Sequence, residues 1–474
     1  MKRIAKNAAC VLLWVSLSVG ALWLMNRVLV VKNTDGVTAM QNFYAQEKDT
    51  VDVLLLGSSH CGMNLNTGTL WDEYGMASYA LWGSLQPFWG SYHFLVEGLK
   101  TQSPKAVVLE VYAATFEETS MQTGTQVVNT AGMKLSRNKW EAVKVSAPKT
   151  QWLDLFFGLP LYHERVGELT QEDYQHFPWT KGLIEQKGGA LSYGSQQLVS
   201  FTDVSDVTEV KALQPQEEEY LRRIIELCQE KEIPILLLKT PVRGDWQRDQ
   251  QPYYNRVAEI AREYGVPFCD QNLLWEELGF DTADYGFDNH HLNARGAGKA
   301  SRRMAQELLA LCDIPDRRGD PAYESWEISA QRIRNPQLSV FRDTQSFVEE
   351  LLRRDCALFV ATTGALENTG TSTLAPLDIP DFPPDCAKAW FLSSTQGGSW
   401  VEAERDGSLF RVNADGFDIV ARVENWTWLM AKGVEVTDEK ESDVLLAVLD
   451  TQTGKILDVV RLGNYTSRLL DRVM

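Results

Sequence analysis

The sequence predicts an α/β fold built on a parallel sheet, followed by a C-terminal α+β domain and preceded by an N-terminal transmembrane helix. The α/β prediction depends on short apolar runs that alternate with amphipathic helical stretches. The second domain is predicted because apolar and polar residues alternate in the β manner over residues 325–474. A chain of 474 residues is long enough for two or three domains of ordinary size.

The first element is a predicted membrane anchor within residues 1–32. Residues 8–25 are uncharged and mostly apolar, and a helix of that length extends roughly 27 Å, close to the thickness of a bilayer core. Three basic residues precede the run, so the positive-inside tendency leaves a cytoplasmic stub and exports the rest of the chain. A signal peptide cleaved near Ser18–Gly20 and a buried core helix are the alternatives.

Composition excludes several classes of function. The net charge of −18 argues against a nucleic-acid partner, which requires a basic surface. This charge is uneven, because the first 34 residues carry +5 and the remainder therefore carries −23. Seven scattered cysteines without a C-x-x-C pair predict neither a disulfide framework nor a zinc site, and we expect no metal or organic cofactor.

The α/β unit is expected to extend over residues 45–314. Its strands are predicted at 51–56, 105–111, 233–239 and 266–269, and its helices at 89–101, 216–232, 252–264 and 294–311. Ligands bind beyond the carboxyl ends of such parallel strands. Lys239 ends the third predicted strand; we expect a solvated lysine there, and the alternative is a contact with a substrate phosphate or carboxylate.

Residues 113–210 interrupt this unit, and they are rich in aromatic side chains: Trp140, Trp152, Phe156, Phe157, Tyr162, Trp179 and Tyr193. An insertion of this size predicts either a lid or substrate wall, or a helical subdomain with a small core of its own. A polar linker at 315–321 then leads to the α+β domain at 325–474, in which the sequence shows no acid/base constellation.

Two segments contain the residues of a nucleophilic site. Gly57-Ser58-Ser59 follows the first predicted strand, where a glycine permits a tight turn that presents a hydroxyl at the sheet edge. Asp288 precedes His291 by three residues, just before the last predicted helix. A serine hydroxyl is a weak nucleophile until a base accepts its proton, and a carboxylate on the far side of a histidine holds that base in place.

These motifs, with His291 placed 232 positions after Ser59, resemble those of the SGNH/GDSL hydrolase superfamily over roughly residues 50–312. More narrowly, the chain resembles the membrane-anchored branch that includes D-alanine-transfer proteins of teichoic-acid modification and alginate O-acetylation proteins. The resemblance implies a flavodoxin-like, three-layer α/β/α fold. It also implies that Ser59 is the nucleophile, that His291 is the general base and then acid, and that Asp288 orients the histidine.

The resemblance further implies an oxyanion hole formed by the N–H of Ser59, a glycine of a second motif and an asparagine of a third. Gly83 fits the second motif. The third is absent, because Tyr112-Ala113-Ala114 stands where Gly-x-Asn-Asp is expected. This departure leaves three alternatives: a weak catalyst, a replacement donor from the insertion, or a binding protein built on a hydrolase scaffold.

Other residues compete for the same roles. Ser58 is an alternative nucleophile, and the family register favours the serine after it. His290 is an alternative base, and the Asp-x-x-His spacing favours the histidine after it. Cys61 is a third candidate nucleophile, without electropositive neighbours in the sequence.

Together these features predict a single-pass, outward-facing serine esterase or acyltransferase acting on O-acyl groups of a cell-envelope polysaccharide through an acyl-serine intermediate. The expected partners are the glycan, the membrane and, by family analogy, a membrane-bound O-acyltransferase. The alternative is a non-catalytic glycan-binding or docking partner of such an acyltransferase. The acidic exported part favours a neutral glycan over an anionic polymer.

Overall fold

The structure is a computed structural model of the 474-residue chain, and it contains two compact units, Met1–Arg332 and Ile333–Met474. The residues that it describes are 2–30, 35–116, 123–169, 171–174, 185–192, 202–244, 246–286, 288, 290–334, 338, 344–353, 356–362, 375–380, 387–395, 397–423, 427–431, 434–438, 444–451, 454, 456–462 and 471–472.

The N-terminal apolar segment is a single helix, α1 (Lys2–Leu29). Its stretch Lys6–Leu29 is long and apolar enough to cross a membrane, with a mean hydropathy of 2.1 over its most apolar window. None of that window is buried against the rest of the protein. The length and exposure of α1 therefore agree with the predicted anchor.

The first unit contains a five-stranded parallel sheet. Its strands are β1 (Val53–Gly57), β2 (Ser78–Trp82), β3 (Ala106–Glu110), β4 (Ile235–Lys239) and β5 (Phe268–Asp270). Their spatial order is β2-β1-β3-β4-β5, which is the flavodoxin-like order, and every neighbouring pair is parallel. The α/β prediction is confirmed.

Helices cover both faces of this sheet, and the first unit has further helices in the insertion. They are α2 (Asp35–Phe43), α3 (Ser59–Asn64), α4 (Thr67–Tyr74), α5 (Phe88–Gly98), α6 (Thr123–Val128), α7 (Arg137–Ser146), α8 (Trp152–Phe157), α9 (Leu159–Tyr162), α10 (Pro215–Glu230), α11 (Trp246–Tyr264), α12 (Ala294–Leu311) and α13 (Glu324–Arg334). Leu54 and Leu56 pack with α5, α10 and α11, whereas Val53 and Leu55 pack with α4 and α12. This alternation is the period of a strand that is buried on both sides.

Strand β2 and helix α11 are among the elements that differ from the sequence prediction. Strand β2 was not predicted, because Ser78–Trp82 is short and contains only aromatic and small residues around one leucine. Helix α11 begins at Trp246, six residues before the predicted start at Pro252. The extra turns are held by buried glutamine side chains; that of Gln251 donates to Asp270 Oδ2 over 2.7 Å.

The described part of the insertion is helical. Trp140 on α7 meets the rings of Trp152 and Phe156 on α8, with centroids 5.7 and 5.2 Å apart. These edge-to-face contacts form a small aromatic core of the kind that the subdomain alternative predicts. Trp179 and Tyr193 lie outside the described residues.

The second unit contains two antiparallel sheets, in the orders β16-β15-β14-β6-β7-β8 and β13-β12-β11-β10-β9. Its elements are α14 (Thr344–Arg353), β6 (Cys356–Thr362), β7 (Lys388–Leu392), β8 (Trp400–Glu402), β9 (Glu404–Asp406), β10 (Leu409–Ala414), β11 (Phe417–Val423), β12 (Thr427–Ala431), β13 (Val434–Asp438), β14 (Val444–Asp450), β15 (Ile456–Leu462) and β16 (Asp471–Arg472). One core joins the two sheets, and α14 packs on the outer face of the larger one. The predicted C-terminal α+β character is confirmed.

The division between the units falls at Arg332/Ile333 rather than at the expected start of the second domain, residue 325. Trp326 on α13 is buried, and its indole N–H donates to Ser78 O over 3.0 Å. The first turns of α13 therefore pack on the first unit, through contacts that the linker composition at 315–321 does not reveal.

Candidate active site

Ser59 lies at the carboxyl edge of the parallel sheet, directly after β1. Gly57 ends that strand with φ +150°, and a Cβ placed on it would lie 2.9 Å from Glu110 Cβ, so only glycine fits. Ser58 then caps α3, with its Oγ accepting the His60 N–H over 3.4 Å. This cap leaves Ser59 as the first helical residue, partly exposed.

Ser59, His291 and Asp288 form one continuous chain of hydrogen bonds. His291 Nε2 lies 2.8 Å from Ser59 Oγ, and His291 Nδ1 lies 2.9 Å from Asp288 Oδ2. The second oxygen, Asp288 Oδ1, accepts the backbone N–H groups of His290 and His291 over 2.9 and 2.7 Å. The arrangement can move a proton from the serine hydroxyl to the imidazole while the carboxylate faces the other ring nitrogen.

The electrostatics of Asp288 favour this direction of transfer. Burial alone would raise the pKa of Asp288, but hydrogen bonds from the His291 ring and backbone outweigh burial and hold the pKa well below its ordinary value. The carboxylate is therefore ionised at neutral pH and accepts a hydrogen bond from His291 Nδ1. Nε2 of a neutral His291 is then the acceptor that faces Ser59.

The alternative residues are placed differently. Ser58 is buried and acts as the cap of α3. The ring of His291, rather than that of His290, reaches Ser59. Cys61 is buried, and burial followed by the charge of Glu110 raises the pKa of its thiol well above the ordinary value, so it is protonated.

Asn64, which the sequence analysis did not single out, supports the loop that holds His291. Its Oδ1 accepts the Leu292 N–H over 2.8 Å, and its Nδ2 donates to Thr240 Oγ1 over 2.9 Å and to His60 Nδ1 over 3.2 Å. The partners are separated from Asn64 by as many as 228 positions in the chain. One amide at the end of α3 thus ties together three segments around the site.

A stacked pair of aromatic rings, the buried His60 and the half-buried Tyr112, lies beside His291. The ring of His60 stacks on Tyr112 at 4.0 Å between centroids and lies 5.0 Å from the ring of His291. Burial lowers the pKa of His60 well below its ordinary value, and Lys239 and the two neighbouring histidines lower it further. His60 is therefore neutral and places no second cation beside His291.

Lys239 is not solvated, which corrects the expectation from the sequence. It is fully buried, its Nζ donates to Thr240 O over 2.7 Å, and Nζ lies 3.6 Å from Glu110 Oε1. Burial lowers the pKa of Lys239 and raises that of Glu110, because each charge has lost its hydration. The pair belongs to the support of the site, since neither side chain is exposed to a substrate.

Gly83 follows β2, the neighbour of β1, and so lies at the same sheet edge as Ser59. A Cβ at position 83 would lie 2.6 Å from Asn129 Oδ1, which comes from the insertion. The Nδ2 group of Asn129 donates to Ser84 O over 3.2 Å and to Thr125 O over 2.9 Å. Both amide hydrogens are thereby used, so Asn129 positions the Gly83 turn instead of facing a substrate oxygen.

The segment where the family's third motif was expected has another role. Tyr112–Thr115 forms a 3₁₀ turn after β3, and the Tyr112 ring covers His60. The backbone amides of Ser59 and Gly83 remain the candidate oxyanion donors at this edge.

No family model matches the chain, and no curated protein is similar to it. Two solved structures are similar to it over part of its length. One is a proposed acylhydrolase from Bacteroides fragilis, with 15% identity, a TM-score of 0.26, and coverage of 57% of this chain and 94% of that one. The other is a GDSL-like lipase from Bacteroides thetaiotaomicron, with 12% identity, a TM-score of 0.26, and coverage of 56% and 94%. Similarities this distant leave the chemistry to be argued from the side chains.

Proposed function

We propose that this chain is a membrane-anchored serine esterase or acyltransferase of the SGNH type, which acts on O-acyl groups of a cell-envelope polysaccharide. The observation that carries the proposal is the hydrogen-bonded series Ser59–His291–Asp288, at 2.8 and 2.9 Å. A histidine with a purely structural role would not need both a serine hydroxyl at one ring nitrogen and an ionised carboxylate at the other. This order of groups is the one that activates a serine nucleophile.

The proposed reaction has two halves. Ser59 Oγ attacks the ester carbonyl carbon while its proton passes to His291 Nε2, and the oxyanion that forms is stabilised by the N–H groups of Ser59 and Gly83. His291 then returns the proton to the leaving alcohol as the C–O bond breaks, which leaves an acyl-serine. In the second half, water or a sugar hydroxyl loses a proton to His291 and attacks the acyl group, and the proton returns to Ser59 Oγ.

The membrane anchor is proposed from α1. Over its most apolar window the stretch Lys6–Leu29 is exposed, which a helix in water would not tolerate. Basic residues precede the stretch, so the proposed topology is a cytoplasmic N-terminus with both compact units outside. The net charge of −23 beyond residue 34 would repel an anionic polymer, and for this reason we favour a neutral glycan as the substrate.

The experiment uses the full chain purified in detergent. Wild-type protein should react with a fluorophosphonate probe and release acid from an aryl acetate, and Ser59→Ala should abolish both. Ser103→Ala is the matched control, because Ser103 is exposed and its hydroxyl donates only to Asp49 among the described contacts.

If folded wild-type protein neither reacted with the fluorophosphonate probe nor hydrolysed the aryl acetate, the proposed enzymatic function would be refuted. If the same protein bound envelope glycan, the alternative function would replace the enzymatic one. In that alternative the chain is a non-catalytic glycan-binding or docking partner of a membrane-bound O-acyltransferase.

A further inference from the structure

Helix α8 in the insertion presents apolar side chains on two of its sides, and its one charged residue is Asp154. Its inner side is packed: Leu155 is buried, and Trp152 and Phe156 contact the ring of Trp140. Its outer side presents Leu153, which is 60% exposed, and Phe157, which is 49% exposed and one helical turn further along. A helix at a water interface is expected to be polar on its outer face. Leu153 and Phe157 therefore form an exposed apolar surface on α8 that an apolar environment would cover.

The same segment abuts the end of α1. A Cβ placed on Gly158, directly after α8, would lie 3.4 Å from Asn26 Oδ1 and 3.5 Å from Val30 Cγ2. The Arg165 guanidinium donates to Leu29 O, one of the last carbonyls of α1, and also pairs with Asp173 at 2.9 Å. Such a contact satisfies a carbonyl that the helix end leaves open. The end of α1 and the segment after α8 thus form one packed body.

The composition of α1 indicates its depth at this point. The Arg27 guanidinium lies 5.1 Å from the centre of the Trp23 ring, and Asn26 adds a polar side chain between them in sequence. Tryptophan, with an arginine whose head can reach the headgroups, is typical of the boundary between acyl chains and water. Phe157 precedes Gly158, which lies next to Asn26, and so Phe157 lies near the level of that boundary.

We propose that α8 and the short helical segments that follow it, up to the 3₁₀ helix His163–Glu168, form a second membrane contact, with Leu153, Phe157 and Val166 inserted into the outer interface of the bilayer. Val166 is 63% exposed and follows the arginine that binds α1. The inference rests on the proposed membrane anchor. Lipid is the occupant favoured here because the apolar face is continuous with the spanning helix, at the depth where that helix leaves the hydrocarbon.

The contact would also fix the height of the candidate active site. Asn129, earlier in the same insertion, bonds the turn that contains Gly83. A membrane-bound α8 would hold the sheet edge at a set distance from the bilayer, instead of leaving the exported part on a free tether. The substrate would then be a glycan segment close to the membrane surface.

The test uses the full chain reconstituted in phosphatidylcholine vesicles that contain no other protein. Single cysteines are introduced as Leu153→Cys, Phe157→Cys or Val166→Cys in a Cys10→Ser background, and each is labelled with an NBD fluorophore. The matched control is Leu309→Cys, which replaces an apolar residue that is 46% exposed on α12. The background protein without an added cysteine corrects for labelling of other thiols.

Lipids with a doxyl quencher high on the acyl chain should cause a large loss of fluorescence at positions 153, 157 and 166, together with a blue shift, and no such loss at 309. Quenching at 153, 157 and 166 that is no greater than at 309 would overturn the proposal. A protein partner would then be the alternative occupant of this face. Wild-type protein labelled at the native Cys10, within the proposed span, tests the membrane anchor independently of the second membrane contact. Quenching at Cys10 without quenching at 153 refutes only the second contact, whereas no quenching at either position refutes the anchor.

Discussion

Asp288→Asn should inactivate the protein through the tautomer of His291. In the wild type, Asp288 Oδ1 accepts two backbone N–H groups and Oδ2 faces His291 Nδ1 at 2.9 Å. Only an oxygen can face the two N–H donors, so the amide NH₂ of the variant must turn toward Nδ1. The imidazole proton is then forced onto Nε2, which can no longer accept the proton of Ser59. The side chain of Asp288 is 49% exposed, and we therefore expect a loss in kcat/KM of about 10³-fold, or ~4 kcal/mol in activation free energy.

The assay is aryl-acetate turnover with fluorophosphonate labelling, alongside a denaturant unfolding curve. Asp288→Ala is the decisive comparison, because it removes the carboxylate but lets His291 choose the productive tautomer. Asp281→Asn is the control for the same chemical change on a neighbouring surface pair with Arg295. An Asn variant clearly more active than the Ala variant, with both folded, would refute the argument from the tautomer.

Asn64→Ala should lower kcat by up to ~10²-fold with little change in KM, because the Leu292 N–H would lose its acceptor and the histidine loop its position; equal kcat would contradict this. Asn129→Ala should lower turnover by about tenfold, since the Gly83 turn loses its tie to the insertion; unchanged kinetics would count against that role. Burial raises the pKa of Glu217 to about 7, so the folded state binds the proton more tightly than the unfolded state. The contribution of Glu217 to stability should then fall by at most about 3 kcal/mol between pH 4.5 and 7, and Glu217→Gln should remove that part of the pH dependence in unfolding measurements. Protease added to intact cells should digest the second unit, and full protection would overturn the orientation.

The strands that can be predicted from the sequence are those whose own residues strongly favour a buried strand. The cores of β1, β3 and β4 are continuous apolar runs because both faces of a parallel sheet are covered by helices. Strand β2, Ser78–Trp82, is equally buried but has a serine and an alanine among its five residues. Its strand state comes from pairing with β1 rather than from local preference.

The candidate site likewise has one part that can be predicted from the sequence and one part that depends on the folded structure. Asp288 and His291 are three residues apart, so their contact is local and visible in the sequence. The contacts of Asn64 reach Thr240 and Leu292, which are 176 and 228 positions away, and they exist only after the sheet edge has formed. Lys239 was expected in solvent because strand ends are often solvated. Its burial follows from the β3–β4 register, which sets Glu110 beside Leu238.

The neutral ring of His60, next to His291, has a consequence for the proposed reaction. During acyl transfer His291 carries a positive charge, 5.0 Å from the ring centre of His60. A protonated His60 would oppose that charge by about 3 kcal/mol at an effective dielectric constant of 20. Burial keeps His60 neutral, and the nearby Lys239 is accompanied by Glu110. The imidazolium of His291 is thus compensated by Asp288, and the neighbouring ring of His60 carries no competing charge. A general base that must be protonated in each half of the reaction requires this.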